Sequence, residues 1–110
     1  MTKPHNLDLF CSGHLIVDKH KKITFCNSYI SNLCGSTPEQ IIGQSIDTYF
    51  TKASTIFINS HIYPLLLKNL SVHETQVTWL GKNAERTPVV VSIKLAQDDT
   101  SYWGSRDFPL

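Results

Sequence analysis

The sequence predicts a single α+β domain in which a five-stranded antiparallel sheet carries short helices on one face. Two short strand patterns come first, a run of helix signals follows, and a long stretch with strand character divided by polar turns comes last. Short polar connections join antiparallel neighbours, and a helical crossover covers the sheet face that it crosses. The chain has 110 residues, which is enough for one such domain with a modest core.

The first two predicted strands lie on either side of a polar turn. Residues 15–17 form a compact apolar run, and residues 18–21 interrupt it. Ile23 and Phe25 then alternate with less apolar neighbours within residues 23–26. A period of two is typical of a half-buried strand, so we expect Ile23 and Phe25 to share the buried face.

Two short helices follow, and each has its own start signal. Asn27 or Ser28 is suited to cap the first helix, because a short side-chain oxygen accepts a hydrogen bond from a first-turn amide. Gly35 is expected to end it. The second helix begins at Thr37, which with Gln40 three residues later and an intervening proline has the pattern of a capping box.

A longer helix is predicted after a short helical turn over residues 46–50. Ser54 or Thr55 is expected to open this helix, which continues to Leu70 with a broad apolar stripe. Pro64 lies inside it and lacks the amide that would bond to the preceding turn. We therefore expect a kink or a restart of the helix at Pro64.

The last part of the chain predicts three more strands. They cover residues 72–80, 86–96 and 101–108, with turns at 81–85 and 98–100. Alternate residues of the fourth strand are apolar and must share a buried face. These residues are Thr87, Val89, Val91, Ile93 and Leu95.

The composition excludes several classes of protein. Hydrophobic residues make up 41% of the chain and charged residues 17%, which is typical of a globular domain. The formal net charge of +1 gives no argument for nucleic-acid binding. The apolar runs are much shorter than a bilayer crossing, and the N-terminus lacks the apolar segment of a signal peptide. We expect a cytoplasmic domain without membrane contact, although the full-length protein could be attached to a membrane.

The chain offers no convincing catalytic constellation, so we expect that this fragment is not an enzyme. No Ser-His-Asp set, phosphate loop or spaced carboxylate pair is evident. The three cysteines, Cys11, Cys26 and Cys34, have no zinc-like pair spacing. Reduced thiols are the simpler interpretation, and a redox switch remains an alternative.

The order of features between His14 and Ser45 closely resembles the opening of a PAS domain. In that family a strand ends in Asp, the next strand ends in Asn, and a helix pair carries Gly, Glu, two branched apolar residues and a final Gly. The matching residues are Asp18, Ile23, Asn27, Gly35, Glu39, Ile41, Ile42 and Gly43. The resemblance continues to the end of the chain and implies a PAS fold over residues 13–110. Residues 1–12 would then be a flanking segment of the kind that often joins a dimer interface.

The resemblance implies a regulatory role. The domain would belong to a bacterial-type signalling protein, such as a histidine kinase, diguanylate cyclase or phosphatase, whose output domain lies outside these residues. It would bind a small molecule or cofactor and relay the signal through rearrangement of a homodimer. The alternative is a ligand-free module for dimerisation or docking. We expect a pocket between the helices and the sheet, lined by Phe25, Ile42, Phe50, Phe57, Ile58, His61, Leu65, Val77, Trp79, Val91, Ile93 and Trp103.

His61 is the candidate ligand for a haem iron. It follows Phe57 and precedes Leu65 by one helical turn, so its imidazole is predicted to lie near an apolar stripe. The surrounding segment also resembles the axial-histidine segment of some haem-binding PAS domains, in which case Trp103 would close the distal side. A locally hydrogen-bonded histidine is the alternative. A non-covalently bound flavin stacked on Trp79 is a further candidate, but the cysteine motif of light-sensing flavin domains is absent.

Overall fold

The computed structural model describes residues 12–108 of the chain. The five strands are β1 (Gly13–Val17), β2 (Ile23–Cys26), β3 (Ser71–Leu80), β4 (Arg86–Leu95) and β5 (Ser101–Asp107). The helices are α1 (Ser28–Cys34), α2 (Pro38–Ile41), α3 (Lys52–Phe57) and α4 (Tyr63–Asn69), with 3-10 turns at Ile46–Tyr49 and Lys82–Ala84 and a π-helix at Ile58–Ile62. The predicted flanking segment, apart from Ser12, lies outside the described residues and stays a prediction.

The strands form one antiparallel sheet in the order β2-β1-β5-β4-β3. The helical elements between β2 and β3 contribute their buried residues to the same core as one face of this sheet. The predicted α+β fold is therefore confirmed. Within residues 12–108, no helix is long and apolar enough to cross a membrane.

The predicted helix ends are confirmed in the first helical pair. The Asn27 side chain accepts a hydrogen bond from the Ile30 amide at 3.3 Å, and Gly35 ends α1 in the left-handed region with φ 70°. The Gln40 amide donates to Thr37 Oγ1 at 3.3 Å, while the Thr37 amide donates to the Gln40 side chain at 3.0 Å. These capping hydrogen bonds are made within a few residues, and the Asn27 side chain also accepts from the His14 amide of β1 at 3.1 Å.

The helical layer differs from the prediction at its start and in its middle. Thr51, rather than Ser54 or Thr55, caps α3 by accepting a hydrogen bond from the Ser54 amide at 3.2 Å. The restart expected near Pro64 is made by a π-turn, in which the Tyr63 amide donates to the Ile58 carbonyl five residues earlier. This wider turn ends just before Pro64, which takes a first-turn position of α4 where a missing amide costs little.

The core lies between the helical elements and one face of the sheet. In β4, Val89, Val91 and Ile93 are at most 1% exposed, as the alternation predicted. Trp103 of β5 joins them in the same cluster, as does Leu15 of β1. We call this the helix-covered face of the sheet, and the opposite one the helix-free face.

Candidate functional site

Three aromatic rings occupy the centre of the helix-covered side. The Phe50 ring stacks on the Trp79 ring with centroids 4.5 Å apart, and it lies 5.9 Å from the Trp103 ring at a tilt. Each of the three residues is at most 2% exposed. Offset and tilted ring pairs at these separations are favourable packing arrangements. This aromatic stack therefore fills the region in which the sequence predicted a ligand pocket.

Both indole nitrogens in the stack already have partners in the sheet. Trp79 Nε1 donates to Ser105 Oγ at 3.1 Å, and Trp103 Nε1 donates to Ser101 Oγ at 2.8 Å. Both serine side chains are buried with the rings. A buried donor that loses its partner is destabilising by about 1–3 kcal/mol, so these bonds hold the ring orientations. In this arrangement the indoles serve the packing of the domain.

Seven of the twelve predicted pocket residues come together in this core. All seven are at most 3% exposed and belong to one hydrophobic cluster. The structure thus brings these seven side chains together, and their role in binding a ligand stays a prediction. They are Phe50, Ile58, Val77, Trp79, Val91, Ile93 and Trp103.

Phe25 lies on the other face of the sheet, contrary to the prediction. Ile16 pairs with Phe25 but Val17 pairs with Ile23, so Thr24 is an extra residue in β2. Such a β-bulge reverses the alternation of side chains beyond it. Ile23 is consequently 1% exposed, whereas Phe25 is 38% exposed on the helix-free face.

Ile42 also fails to enter the predicted pocket. Ile41 is fully buried, but the chain leaves α2 at Ile42 with an extended backbone. Adjacent residues at the end of a one-turn helix point in different directions, so only one of the two isoleucines packs into the core. Ile42 is 44% exposed.

The stripe formed by Phe57, His61 and Leu65 lies on the exposed side of the helical layer. Phe57 is 38% exposed and Leu65 46% exposed. The segment contains two stripes of side chains that are displaced from each other by one residue. The helix packs one of these stripes against the sheet. The buried stripe consists of Ile58, Ile62 and Leu66.

His61 is therefore not directed into the core. Its ring stacks on Phe57 with centroids 5.2 Å apart, and its Nδ1 is 2.9 Å from Ser60 Oγ on the exposed surface. A haem axial ligand has to project into a cavity that buries the macrocycle. The position of His61 and the filled region around Trp103 do not fit haem, so this prediction is not supported by the geometry.

The two cysteines in the described region are buried and unpaired. Cys26 and Cys34 are free thiols within the hydrophobic cluster. Burial raises the pKa of Cys26, and burial with the nearby Cys26 raises the pKa of Cys34 to about 12. Since the thiolate is the reactive form, these environments are typical of inert structural cysteines.

A concave apolar surface lies on the helix-free face. Phe25, Ile16, Tyr102 and Lys94 stand opposite one another on four adjacent strands. They border a cavity of about 370 Å³, and the Tyr102 side chain beside it is 50% exposed. We call this cavity the outer groove; its lining includes His14, Ile16, Phe25, His73, Lys94 and Tyr102.

A separate cavity of about 210 Å³ lies next to the outer groove, and its lining includes Glu74 and Arg106. Arg106 and Glu74 form an exposed ion pair with 2.8 Å between nitrogen and oxygen. The Glu74 amide donates to Ser92 Oγ at 3.0 Å, and Glu74 has a φ of 51° at an irregularity in β3. A non-glycine residue in the left-handed region is uncommon, and bulges of this kind redirect side chains. The apolar outer groove is thus bordered by a second cavity that carries an ion pair.

The sequence analysis missed the outer groove, although one signal for it was present. Residues 15–17 are all apolar, and in a strand such a run places an apolar side chain on each face. Leu15 and Val17 face the core, so Ile16 must face outward. The contributions of Tyr102 and Phe25 required the strand order and the β2 bulge.

The fold and the surface together define a small single-sheet α+β domain, with a packed interior and an apolar groove on the helix-free face. The sequence matches the PAS domain family over residues 12–105. The chain therefore belongs to the PAS domain family, whose members are sensory signalling modules. No match was found among curated proteins.

Solved PAS domain structures have the same fold as this chain. The PAS domain of a protein from Colwellia psychrerythraea has a TM-score of 0.81 at 17% identity, covering 92% of this chain and 89% of that one. A PAS domain of a LuxR-family transcriptional regulator from Burkholderia thailandensis, in complex with ethanol, has a TM-score of 0.82 at 14% identity and 98% coverage of both chains.

A quorum-sensing receptor is also similar. The RpfR PAS domain from Cronobacter turicensis, in complex with BDSF, has a TM-score of 0.78 at 15% identity, covering 94% of this chain and 99% of that one. At these identities the similarity establishes the fold.

Proposed function

We propose that this domain is a regulatory module of a larger signalling protein and that it works through contacts of its helix-free face with a second copy of the chain. The output domain, a kinase, cyclase or phosphatase, would lie outside these residues and respond to rearrangement of the two copies. The observation that carries the proposal is the contrast between the filled aromatic stack and the outer groove. The same contrast favours a ligand-free docking module over a sensor with an enclosed ligand.

The chemistry of the outer groove supports an interface. Phe25 and Tyr102 are 38% and 50% exposed, although aromatic residues gain most from burial. Exposed aromatic side chains in a concave apolar patch are typical of protein interfaces. The charged residue in the groove lining is Lys94, while Arg106 and Glu74 belong to the neighbouring cavity. Association over the outer groove would therefore desolvate few charged groups.

A second copy suits this surface because symmetric association covers both grooves at once. In a two-fold dimer the same patch is used on each subunit, so one apolar patch per chain is sufficient. The groove runs across the centre of the sheet rather than along an edge strand, since Ile16 and Tyr102 belong to β1 and β5. If the two sheet faces pack against each other, a displacement of one copy would be transmitted to the other through this contact.

The direct test is the oligomeric state of two single variants. Tyr102→Glu and Ile16→Glu place a carboxylate in the groove, and we expect the dimer dissociation constant to rise at least about tenfold because this charged group has to be desolvated on association. Leu67→Glu is the matched control, since Leu67 is 68% exposed on α4. Sedimentation equilibrium of the full chain measures the constant for each protein.

Three results would overturn the proposed interface. The unsubstituted chain could remain monomeric at every concentration, the groove variants could dimerise normally, or Leu67→Glu could weaken dimerisation as strongly as Tyr102→Glu. Circular dichroism and urea unfolding of each variant separate a lost interface from a lost fold.

An enclosed small ligand is the second candidate, because two similar domains are described in complex with ethanol and with BDSF. For this chain the aromatic stack would have to open to admit a ligand. Denaturing mass spectrometry and the optical spectrum of the purified protein discriminate the two candidates. A co-purifying small molecule supports the ligand, and a Soret band lost on His61→Ala establishes haem. Colourless protein without a bound molecule supports docking.

A further inference from the structure

The outer surface of the helical segment from α3 to α4 is apolar over much of its length. Nine large apolar side chains are exposed among residues 12–108, and five of them lie between residues 56 and 70. Ile58, Ile62 and Leu66 of the same segment are buried in the core. A surface helix normally has a single apolar stripe, and a helix that is apolar all round is normally covered all round. The exposed side of this segment is therefore a candidate contact surface.

Two neighbouring rows of side chains form this surface. One row starts at position 52 and the next at position 57, and residues four apart are neighbours along one side of a helix. Ile56 in the first row is 58% exposed, while Phe57 and Leu65 in the second are 38% and 46% exposed. We call this surface the outer ridge; it consists of Lys52, Ile56, Phe57, His61, Leu65 and Lys68, all of which are exposed.

The ionised groups of the outer ridge have one sign. Lys52 and Lys68 lie at its two ends, and residues 48–73 contain no Asp or Glu. The two lysines are 16 positions apart, which corresponds to roughly 24 Å at the rise of an α-helix. The neighbouring β1–β2 connection adds a further cation, since Lys21 Nζ donates to Asn59 Oδ1 at 2.6 Å. The apolar middle of the ridge therefore lies between two positive ends.

His61 gives this apolar middle one polar group. Its ring stacks on Phe57 with centroids 5.2 Å apart, and its Nδ1 is 2.9 Å from Ser60 Oγ. When the Ser60 hydroxyl donates to Nδ1, the proton of the neutral imidazole is on Nε2. In that form Nε2 can donate to an acceptor on a partner, and the stacked Phe57 ring beside it offers apolar contact.

We propose that the outer ridge binds an amphipathic helix of a second protein, with an apolar middle and acidic residues at both ends. Rows of side chains at helical spacing interdigitate with the rows of another helix, and carboxylates about 24 Å apart would meet the two lysines. An added strand fits less well, because the edge strand β3 beside the helical layer is already bonded at Thr78. The Thr78 carbonyl accepts from the Thr51 amide at 3.1 Å, and the Thr78 amide donates to Ser54 Oγ at 2.8 Å.

Two other occupants of the ridge are disfavoured by its chemistry. A second copy of the chain does not supply such a helix from residues 12–108, because α1, α3 and α4 contain no acidic residue and α2 has one turn. Segments that bind anionic lipid through charge carry about four to eight lysines or arginines, whereas the ridge has Lys52 and Lys68. The ridge is on the helix-covered side of the sheet, so this interaction does not depend on the outer groove.

Two designed peptides test the requirement for acidic ends. Each is a helix of about 18 residues with leucines on one side of its middle turns, and the first carries Glu at both ends where the second carries Lys. We expect the full chain to bind the acidic peptide at least about tenfold more tightly than the basic one, with a smaller difference at 1 M salt. Isothermal titration calorimetry measures both affinities. Equal affinities, or no binding of the acidic peptide at about 1 mM, would overturn the proposal.

Two variants of the ridge test where the acidic peptide binds. Phe57→Ser and Leu65→Ser each remove part of the apolar middle, and we expect the affinity to fall at least about tenfold. Leu67→Ser is the matched control, since Leu67 is 68% exposed and borders a cleft shared with Lys21 on the other side of α4. A change of less than about twofold is expected for this control. Urea unfolding of each variant shows whether the fold is intact.

Three results would assign the surface differently and overturn the proposal. Loss of peptide binding in Tyr102→Glu, with normal binding in Leu65→Ser, would place the peptide in the outer groove. Weaker self-association of Leu65→Ser in sedimentation equilibrium would make the ridge a contact between copies of the chain. Binding of the chain to phosphatidylglycerol vesicles that is lost in Leu65→Ser, without binding of the acidic peptide, would make the ridge a membrane contact.

Discussion

The two faces of the sheet use the same strands for different purposes. In β5, Ser101 and Trp103 are 3% and 2% exposed on the helix-covered face, while Tyr102 between them is 50% exposed. In β1, Leu15 is buried and its neighbour Ile16 borders the outer groove. Successive side chains of a strand point to opposite faces, so each strand serves the core and the surface independently.

The side chains on the helix-covered face stabilise the fold, whereas those on the helix-free face are the candidates for association. On the helix-covered face the aromatic stack and its hydrogen bonds to Ser101 and Ser105 hold the domain together. On the helix-free face, Phe25 and Tyr102 are 38% and 50% exposed, while Val90 is buried. Substitutions on the first face should act on folding, and substitutions on the second should act on association.

The largest effect is expected for Trp79→Ala. This change removes the ring that stacks on Phe50 and leaves Ser105 Oγ without its donor. The free energy of unfolding should fall by about 3–5 kcal/mol, as for other buried aromatic residues. Urea unfolding followed by circular dichroism measures the change.

The matched substitution on the other face is Tyr102→Ala. For a monomer we expect a loss of no more than about 1 kcal/mol, since half of the side chain is already in water. Measured at a protein concentration below the dimer dissociation constant, equal losses for the two variants would contradict the division between the faces.

An intermediate effect is expected from a pair of glycine substitutions. A Cβ atom at Gly13 would collide with Ile30 Cδ1 of α1, whereas a Cβ atom at Gly104 has no other atom within 4 Å. Gly13→Ala should lower the free energy of unfolding by about 1–3 kcal/mol through overpacking. Gly104→Ala should change it by less than about 0.5 kcal/mol. Thermal unfolding of both variants compares them, and a larger loss at Gly104 would mean that the helix-free face is covered within one chain.

The smallest effect is expected for Arg106→Ala in the cavity beside the outer groove. The Arg106 and Glu74 side chains are 45% and 66% exposed, so their ion pair is screened by solvent. We expect a loss of less than about 1 kcal/mol that shrinks further at 1 M salt. Urea unfolding at low and high salt measures it. A loss that is large and independent of salt would show that the strained backbone at Glu74 depends on this pair.

Local signals in the sequence were sufficient for most of the fold. The caps at Asn27 and Thr37, the stop at Gly35 and the buried alternation in β4 all act over a few residues. Their outcome depends on hydrogen bonds and side-chain spacing within one element. For this reason the element order, the fold class and the residues around Trp79 were predictable.

The positions of several predicted pocket residues depended on two adjustments of one residue each. The extra residue Thr24 in β2 turned Phe25 away from the core. In the helical segment that contains the π-turn before Pro64, the stripe that includes Ile62 is buried instead of the stripe that includes His61. In both places the sequence contains two apolar alternatives displaced by one residue.

The sequence by itself determined which elements form and where most of them begin and end, because those interactions are made within a few residues. Only the tertiary structure decided which alternative is buried, because the burial of Ile58 rather than Phe57 depends on packing against strands far away along the chain. The outer groove arises in the same way, from side chains on four strands whose adjacency exists only in the folded sheet.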